Sequence, residues 1–426
     1  MTIRALNLAF YRAGILTLTV GRNLFYRYSV PTPVILSSYK IPMEKTADVV
    51  IIGGGIVGLS IAYYLALKRA GRIVLFEKGQ LGEGSTSRCV GGIRVQFSTE
   101  INIRFSLESL KTFEQFKEEF GVTPEFKRIG YLFLATTERE IGVFKENMKL
   151  QKKFDIPVEF LSPNEIRSRW PYLRIDDILG GTFCSWDGYA GPNEILTGFA
   201  SGAKRAGAKI YEGMEIMGIS LARGKIHSVK TKDEEIFTPV VVNAGGPYAA
   251  SIGEMVGIKI PVKPLRRQIF ITAPFYLTDR PIPLTIDFHR GWYFRQEGDG
   301  LLLSGPLDQE PSFNLSIDYE AMAEASENAM HRVPVLEKAR IARGWAGLYE
   351  ISPDHHAILG RVPEVEGFVL ANGFSGHGFQ HSPAVGKVIS ELIADGEANT
   401  IDISPFSIER FEKGELMVEP MTAFKE

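Results

Sequence analysis

The stretch Gly53-Gly54-Gly55-Ile56-Val57-Gly58 is a G-x-G-x-x-G loop that connects a predicted strand to a predicted helix. The apolar run ADVVII (residues 47–52) precedes it and is typical of a strand buried on both faces. Residues 56–69 then have the apolar spacing of a helix, and RIVLF (residues 72–76) predicts a second buried strand. The stretch therefore predicts a β-α-β unit that binds a dinucleotide.

Each glycine of this loop has its own physical role in such a unit. Gly53 permits the tight turn, Gly55 lets a pyrophosphate approach the backbone, and Gly58 lets the helix pack closely on the strand. The first helical residues, Ile56 and Val57, offer free N–H groups and the positive end of the helix dipole. We expect all five residues to contact the cofactor.

An acidic residue stands where the second strand ends. Glu77, followed by Lys78, can accept hydrogen bonds from the ribose hydroxyls of an adenosine, and its charge disfavours a 2′-phosphate. The pattern leaves open an ordinary glycine turn, and it does not say which dinucleotide binds, so an enzyme that uses NAD(P) is an alternative. The colour of the purified protein separates an NAD(P) enzyme from one that binds a flavin dinucleotide, since only the latter is yellow.

Three later loops share small and glycine-rich sequences. They are GEGSTSR leading into GGIR (residues 82–94), VNAGG (residues 242–246) after a buried strand, and GFSGHGFQ (residues 373–380) before a helix. Their spacing suits successive contacts along an extended cofactor. The further residues that we expect to bind it are Ser85, Thr86, Ser87, Arg88, Gly91, Gly92, Ile93, Ala244, Gly245, Gly246, Gly376, His377, Gly378, Phe379 and Gln380.

These four motifs, in this order, resemble the flavoprotein family of D-amino acid oxidase, glycine oxidase and sarcosine oxidase. The stretch WAGLYEISPD (residues 345–354) and the loop GFSGHGF are most similar to sarcosine oxidases and to the β subunit of dye-linked L-proline dehydrogenases. The resemblance covers nearly all of residues 45–400. It implies FAD as the cofactor and a fold in which a β-sheet domain covers the flavin.

The implied fold class is α/β, a two-domain α+β flavoprotein. It combines a Rossmann-like FAD-binding domain of the glutathione-reductase type with an antiparallel β-sheet substrate domain. We assign residues 45–125, 187–258 and 345–400 to the discontinuous FAD-binding domain, and residues 126–186 and 259–344 to the substrate domain. Residues 401–426 form a C-terminal tail, and residues 1–42 form a leader.

The resemblance implies oxidation of an amine to an imine, with a hydride equivalent passing to flavin N5. A helix that starts at the GHGF loop can stabilise the negative charge of the reduced flavin, and His377 lies in that loop. Arginine is suited to a planar, bidentate contact with a substrate carboxylate. Arg94 and Arg295 are the candidates for that contact, since each matches an arginine position of the family. Tyr293 is a candidate wall of the substrate pocket.

Three departures from the family pattern indicate how the flavin is held and reoxidised. Gly347 stands where covalently flavinylated sarcosine oxidases have a cysteine, so we expect non-covalent FAD. Gln380 replaces a lysine that follows GHGF, and Leu302 stands at the position of a lysine associated with oxygen activation. We therefore expect a dehydrogenase of an L-proline-like or sarcosine-like amine that passes electrons to a quinone, a protein or a dye.

Two other functions stay open from the sequence. One is an oxidase of glycine, sarcosine or D-amino acids that uses O2. The other, of a different class, is a flavin-bearing assembly or RNA-modification protein built on this fold, because fold does not fix function. The expected partners are the amine, the electron acceptor and other subunits in a homo-oligomer or hetero-oligomer. The neutral charge balance argues against a nucleic-acid partner.

Composition bounds the remaining possibilities. The 426 residues carry a net charge of −2, and two cysteines are too few for a disulfide framework. Residues 1–42 carry five basic and no acidic side chains, which favours a targeting peptide, a peripheral contact or an upstream start before Met43. We expect a cytoplasmic protein, with contact to a membrane surface as an alternative. The glycines around His377 argue against a metal pair with His381.

Overall fold

The computed structural model describes residues 44–420 and, before them, the backbone of two strands, Ile15–Thr19 and Phe25–Ser29. These two strands pair antiparallel within a first unit, Met1–Glu44. The second unit, Lys45–Glu426, carries all the elements that follow. Apart from the two strands, the predicted leader at residues 1–42 lies outside the described residues.

A six-stranded sheet carries the dinucleotide-binding motif. Its three central strands are parallel and fully buried, as the apolar runs predict. The last strand in the order runs antiparallel to its neighbour. In spatial order the strands are Lys209–Tyr211, Ile73–Phe76, Val49–Ile52, Val241–Asn243, Phe368–Asn372 and Ile358–Arg361.

A second sheet of eight strands is antiparallel throughout except where Leu284–Asp287 pairs parallel with Tyr131–Ala135. The long edge strand Ile341–Ile351 contains residue 345, where the predicted FAD-binding segment begins, and pairs with Lys263–Thr272. The order is Ile341–Ile351, Lys263–Thr272, Gly300–Leu307, Trp292–Glu297, Leu284–Asp287, Tyr131–Ala135, Gly180–Cys184 and Val158–Leu161. With the first sheet and its helices, it confirms the predicted α/β flavoprotein fold class.

Smaller strands and the helices complete the unit. A three-stranded sheet consists of Gly218–Ala222, Lys225–Lys230 and Glu235–Phe237. A two-stranded sheet consists of Gly92–Ile93 and Gly188–Tyr189. The α-helices are Ile56–Leu67, Ser85–Arg88, Glu100–Glu114, Phe116–Phe120, Glu138–Lys152, Pro163–Arg169, Pro192–Arg205, Ala249–Glu254, Tyr319–Arg332, Gly378–Ala394 and Glu409–Lys413. The 3-10 helices are Gly246–Tyr248, Pro334–Lys338 and Ser404–Phe406.

The helix after the GHGF loop starts earlier than its sequence predicts. Pro383 favours a start at its own position, but the helix is Gly378–Ala394 and contains Pro383. Proline has no N–H to donate to the carbonyl of Phe379, four residues earlier. The hydroxyl of Ser382 donates to that carbonyl instead, at 2.9 Å. The helix N-terminus therefore lies at the GHGF loop itself.

The described part of the predicted tail, residues 401–420, packs against the second unit. Arg410 forms a buried ion pair with Asp354, and the two side chains are 3% and 0% exposed. Glu419 accepts hydrogen bonds from the backbone N–H of Ser98 at 2.7 Å and from the side chain of Asn102 at 3.0 Å. These contacts fix the segment beside the start of the helix Glu100–Glu114.

Candidate functional site

A cavity of about 790 Å³ is lined by residues of both large sheets. It extends from the glycine loop at Gly53 to Tyr293 and Ile286 of the eight-stranded sheet. Its size lies within the range of small-molecule and cofactor sites. The predicted site residues that line it are Gly53, Gly55, Ile56, Val57, Glu77, Lys78, Ser85, Thr86, Arg88, Gly91, Gly92, Arg94, Ala244, Gly245, Gly246, Tyr293, Gly376, His377, Gly378, Phe379 and Gln380.

Four predicted site residues lie outside this lining: Gly58, Ser87, Ile93 and Arg295. Ser87 is exposed on its short helix, and Ile93 is buried in the core beside the cavity. Gly58 is required by packing. A Cβ on Gly58 would stand 2.0 Å from the carbonyl oxygen of Gly53.

The glycine loop is held in a backbone conformation that larger residues rarely adopt. Gly53 has a φ of +116°, and a Cβ there would meet the carbonyl oxygen of Ala244 at 2.3 Å. The carboxylate of Glu77 accepts from the backbone N–H of Gly54 at 2.7 Å and from that of Gly79 at 2.8 Å. Glu77 therefore fixes the loop while it lines the cavity.

The start of the helix Gly378–Ala394 forms another part of the wall. His377 is its N-cap residue and makes no side-chain cap to the helix. The side-chain oxygen of Gln380 accepts from the backbone N–H of Arg94 at 2.8 Å. Gln380 thus joins this helix to the segment that follows the Gly91–Gly92 turn, which the sequence did not indicate.

Arg94 lines the cavity, but its guanidinium is already engaged. It donates to the carbonyl of Gln96, stacks 3.8 Å from the ring centre of Phe97, and places Nη2 3.3 Å from Nε2 of His377. Burial lowers the pKa of Arg94, whereas the nearby carboxylates of Glu419 and Asp187 raise it. This arginine is held by the protein from several sides.

His377 stays neutral in this position. Burial, and then the positive charge of Arg94, hold the pKa of His377 well below its ordinary value. His381, one helical turn further on, is also buried, and its pKa falls to about 3. Among the described residues, no group of three or more His, Cys, Asp or Glu side chains could hold a metal ion.

Tyrosines stand along the wall formed by the eight-stranded sheet. Burial raises the pKa of Tyr293 and of Tyr131, so both hydroxyls keep their protons at neutral pH. Tyr349 lines the same cavity and interacts with both of them. Apolar side chains of the same sheet, Leu284 and Ile286, lie beside them.

Arg295, a predicted contact of the substrate carboxylate, is engaged by other groups of the protein. Its guanidinium donates to the carbonyls of Gln296 and Val90, at 2.8 and 2.9 Å, and forms an ion pair with Glu297. It also stacks 3.8 Å from the ring centre of Tyr189. Tyr189 belongs to a two-stranded sheet that is distant from Arg295 in sequence, so the strand pattern did not indicate that its ring contacts the guanidinium.

Arg267 is a cavity residue that the sequence analysis missed. It lines the cavity, is 5% exposed, and donates from Nη2 to the carbonyl of Gly291 at 2.8 Å. The alternation of strand Lys263–Thr272 was the available signal. Arg267 shares a face with Ile269, which also lines the cavity, while Arg266 pairs with Asp308 at 2.8 Å elsewhere.

Glu350 is a second residue that the sequence analysis missed. Its carboxylate accepts from the backbone N–H of Gly373 at 3.0 Å and lines the cavity. Burial raises the pKa of Glu350 to about 8, against the opposing effect of the N–H groups of Gly373 and Phe374. The residue lies in the stretch WAGLYEISPD that carried the family resemblance.

The positions that depart from the family pattern fall in different surroundings. Gly347 lines the cavity, and a Cβ there would stand 3.0 Å from Cβ of Arg88. Leu302 is 1% exposed and packs in an apolar cluster with Ile269 and Ile271, outside the cavity lining. Within the described residues, Lys78 is the one lysine that lines the cavity.

Comparison with known proteins identifies the family. A model described as FAD dependent oxidoreductase (DAO) matches residues 48–392. The FAD-dependent oxidoreductase domain-containing protein 1 of Xenopus laevis is 31% identical over 428 residues, which cover 89% of this chain and 85% of that protein. Dimethylglycine dehydrogenase of Rattus norvegicus is 31% identical and covers 85% of this chain, but only 45% of its own length is matched. The solved L-proline dehydrogenase from P. horikoshii has a TM-score of 0.82 and 37% identity, covering 88% of this chain and 100% of that one.

Proposed function

The chain belongs to the DAO family of FAD dependent oxidoreductases, and we propose that it is a dehydrogenase that oxidises an amino acid or secondary amine to its imine. FAD is the cofactor that the family implies. A proline-like or sarcosine-like substrate is supported by the similarity to L-proline dehydrogenase and dimethylglycine dehydrogenase. The observation that carries the proposal is the single cavity that joins the glycine loop to a wall of arginine, tyrosine and apolar side chains.

The residues present fit FAD. A Cβ on Gly53 would clash with the carbonyl oxygen of Ala244, and a Cβ on Gly58 would clash with that of Gly53. Glu77 lies beside this loop and accepts from the backbone N–H groups of Gly54 and Gly79. We assign the adenosine to Glu77, the pyrophosphate to the loop and the helix Ile56–Leu67, and the flavin to the start of the helix Gly378–Ala394. Gly347 offers no side chain for a covalent bond at the position used in covalent sarcosine oxidases, so FAD is held non-covalently.

When bound, FAD would supply the two-electron acceptor for the hydride equivalent that leaves the carbon next to the amine nitrogen. The chain's own residues bind and orient the amine. The wall of Leu284 and Ile286 favours an apolar ring or a small alkyl group and excludes water. The protonated hydroxyl of Tyr293 can donate to a substrate oxygen.

The helix N-terminus at His377 contributes electrostatically. Its first N–H groups and the helix dipole stabilise negative charge at the cavity wall, where Gly378 and Phe379 lie. Because His377 is neutral, it adds no charge of its own at neutral pH. The wall would thus stabilise negative charge on a cofactor held there, and this electrostatic effect needs no general acid or base.

A dehydrogenase is favoured over an oxidase because an apolar side chain replaces the cation that activates oxygen in related oxidases. Leu302 takes the position of the oxygen-activating lysine and is buried among apolar side chains. Without a cation there, electron transfer to O2 loses its electrostatic stabilisation. A quinone, an electron-transfer protein or a dye is then the acceptor.

In the part of the chain that the structure describes, no helix has the length and hydropathy to cross a membrane.

Anaerobic reduction of the bound flavin tests the proposal. The purified holoenzyme is mixed without oxygen with L-proline, sarcosine, dimethylglycine, glycine or a D-amino acid, and the absorbance of the oxidised flavin is followed. At least one should bleach the flavin, and a dye or quinone should restore the colour faster than O2. Bleaching by none of these amines would refute the proposed substrate class, and faster recovery with O2 would identify an oxidase.

A further inference from the structure

Three arginines line the cavity, and they differ in what already holds them. Arg88 is half-buried, and its guanidinium donates to the carbonyls of Glu83 and Ala346, both at 3.3 Å. Arg94 is engaged by Gln96, Phe97 and His377. Two carboxylates, of Glu419 and Asp187, also act on its charge. Arg94 therefore already has hydrogen-bonding, aromatic and carboxylate partners within the protein.

Arg267 has no comparable compensation. Its one hydrogen bond runs from Nη2 to the carbonyl of Gly291, and its buried Nε has no hydrogen-bond partner among the described residues. Arg267 forms no ion pair with any described residue, and it is only 5% exposed. A buried cation that lacks a counter-charge is costly unless a ligand supplies one. Since Arg267 lines the cavity, that ligand can come from the cavity.

The surroundings of Arg267 hold its guanidinium in place. Its Cζ lies 5.2 Å from the ring centre of Tyr293. The carbonyl that it contacts belongs to the turn 288–291, where Asp287 accepts from the backbone N–H of Arg290 at 3.2 Å. Asp287 is in turn held by the buried Arg332 at 2.7 Å. A guanidinium fixed in this way loses little entropy when it binds a planar carboxylate.

We propose that Arg267 binds the carboxylate of an α-amino acid substrate and thereby selects amino acids over amines that lack a carboxylate. This inference rests on the proposed amine oxidation, and it names the substrate class and the residue that recognises it. Arg94 is a positioning residue that holds His377 and the helix N-terminus. The two arginines thus divide the tasks that the sequence had assigned to Arg94 and Arg295.

The test compares L-proline with pyrrolidine, which has the same ring without the carboxylate. Holoenzymes of wild type, R267Q, R267K and R266Q are reduced anaerobically, and the half-saturating concentrations are measured. Losing one partner of a buried charge pair should raise that concentration for L-proline by about 30-fold or more in R267Q. R267K keeps the charge but lacks the two-pronged guanidinium, so its half-saturating concentration for L-proline should lie between those of wild type and R267Q. The half-saturating concentration for pyrrolidine should change less than about threefold in both variants.

R266Q is the matched control, because Arg266 is the neighbouring residue on the other face of the strand and pairs with Asp308 and Asp318. It should keep the wild-type preference for L-proline. If R267Q also keeps that preference while R94K loses it, the carboxylate anchor is Arg94 and the inference is overturned.

A binding measurement separates this inference from the proposed reaction. Tetrahydrofuran-2-carboxylate has a ring oxygen in place of the amine nitrogen, so it can bind by its carboxylate without being oxidised as an amine. Its Kd, read from the flavin absorption spectrum, should rise about 30-fold or more in R267Q but not in R266Q. An equal Kd in wild type and R267Q refutes the role of Arg267, even if no amine reduces the flavin. If wild type binds this probe but no amine bleaches the flavin, only the proposed reaction fails.

Discussion

Nη2 of Arg94 lies 3.3 Å from Nε2 of His377, and the two side chains form one partly buried unit at the cavity wall. A guanidinium can only donate, so Nε2 of His377 must accept and the ring proton must sit on Nδ1. Burial and the adjacent positive charge keep the ring neutral. The unit therefore carries one positive charge, that of Arg94.

We expect His377 to remain neutral in the wild-type protein from pH 8 down to pH 6, which lies below the ordinary histidine pKa of about 6.5. In R94Q the positive neighbour is lost, so the pKa of His377 should rise, although burial still lowers it. Nitrogen-15 NMR of the histidine rings measures both the protonation state and the tautomer. A charged His377 at pH 6 in the wild type would contradict this picture.

Gly58→Ala should destabilise the protein, since its Cβ would stand 2.0 Å from the carbonyl oxygen of Gly53. We expect a loss of about 1–3 kcal/mol in the free energy of unfolding, together with weaker FAD binding. Gly142→Ala is the matched control, because nothing lies within 4 Å of its Cβ, in the helix Glu138–Lys152. That variant should gain about 0.5–1 kcal/mol. Urea unfolding measures both, and equal stabilities would contradict the packing role of Gly58.

Glu77→Ala should weaken FAD binding, because Glu77 holds the N–H groups of Gly54 and Gly79 and faces the cavity. A lost hydrogen bond with a buried partner costs about 1–3 kcal/mol, or roughly a 5- to 150-fold increase in Kd. Titration of the apoprotein with FAD measures the change. The control E366Q alters an exposed ion pair with Lys225 and should leave the Kd unchanged. An unchanged Kd in E77A would place the ribose contact elsewhere.

Asp354→Asn should leave Arg410 as an uncompensated buried charge and cost about 3–5 kcal/mol at neutral pH. Burial acts to raise the pKa of Asp354, but the hydrogen bonds and charge of Arg410 outweigh it and lower the pKa. The stabilising contribution is therefore complete above the ordinary aspartate pKa and is lost as the pH falls through the lowered value. Chemical unfolding from pH 7 to pH 3 should show the free energy of unfolding of the wild type approaching that of D354N below about pH 4. A difference between the two proteins that stays constant with pH would contradict this.

Glu350→Gln should change the pH dependence of stability in the opposite direction. The pKa of Glu350 is about 8 in the folded protein, so the folded state keeps a proton that the unfolded state has already lost. Between the ordinary glutamate pKa of about 4.3 and pH 8, the wild type thus loses stability relative to E350Q, and the difference is constant above that range. Thermal unfolding at several pH values measures it, and parallel curves for the two proteins would show an ordinary pKa.

The β-α-β unit could be predicted because its signals are local. Gly53, Gly58 and Glu77 lie within one short segment, and the constraints on them come from the turn, the helix start and the end of the next strand. The same holds for the residues around Gly376, which line the predicted cavity. The helix there begins at Gly378 although Pro383 lies inside it, and the hydroxyl of Ser382 takes the place of the hydrogen bond that Pro383 removes.

The choice among arginines was not local. Arg295 and Arg267 both lie on strands and look alike in sequence, but Arg295 is covered by Tyr189 and Val90, and Arg267 faces the cavity. Arg94 matches the predicted position but is engaged by His377. The cofactor loops could thus be predicted from the sequence alone, because short-range turn and helix geometry specify them. The cation left for a substrate could be identified only in the folded protein, because the partners that engage or cover each arginine come from distant segments.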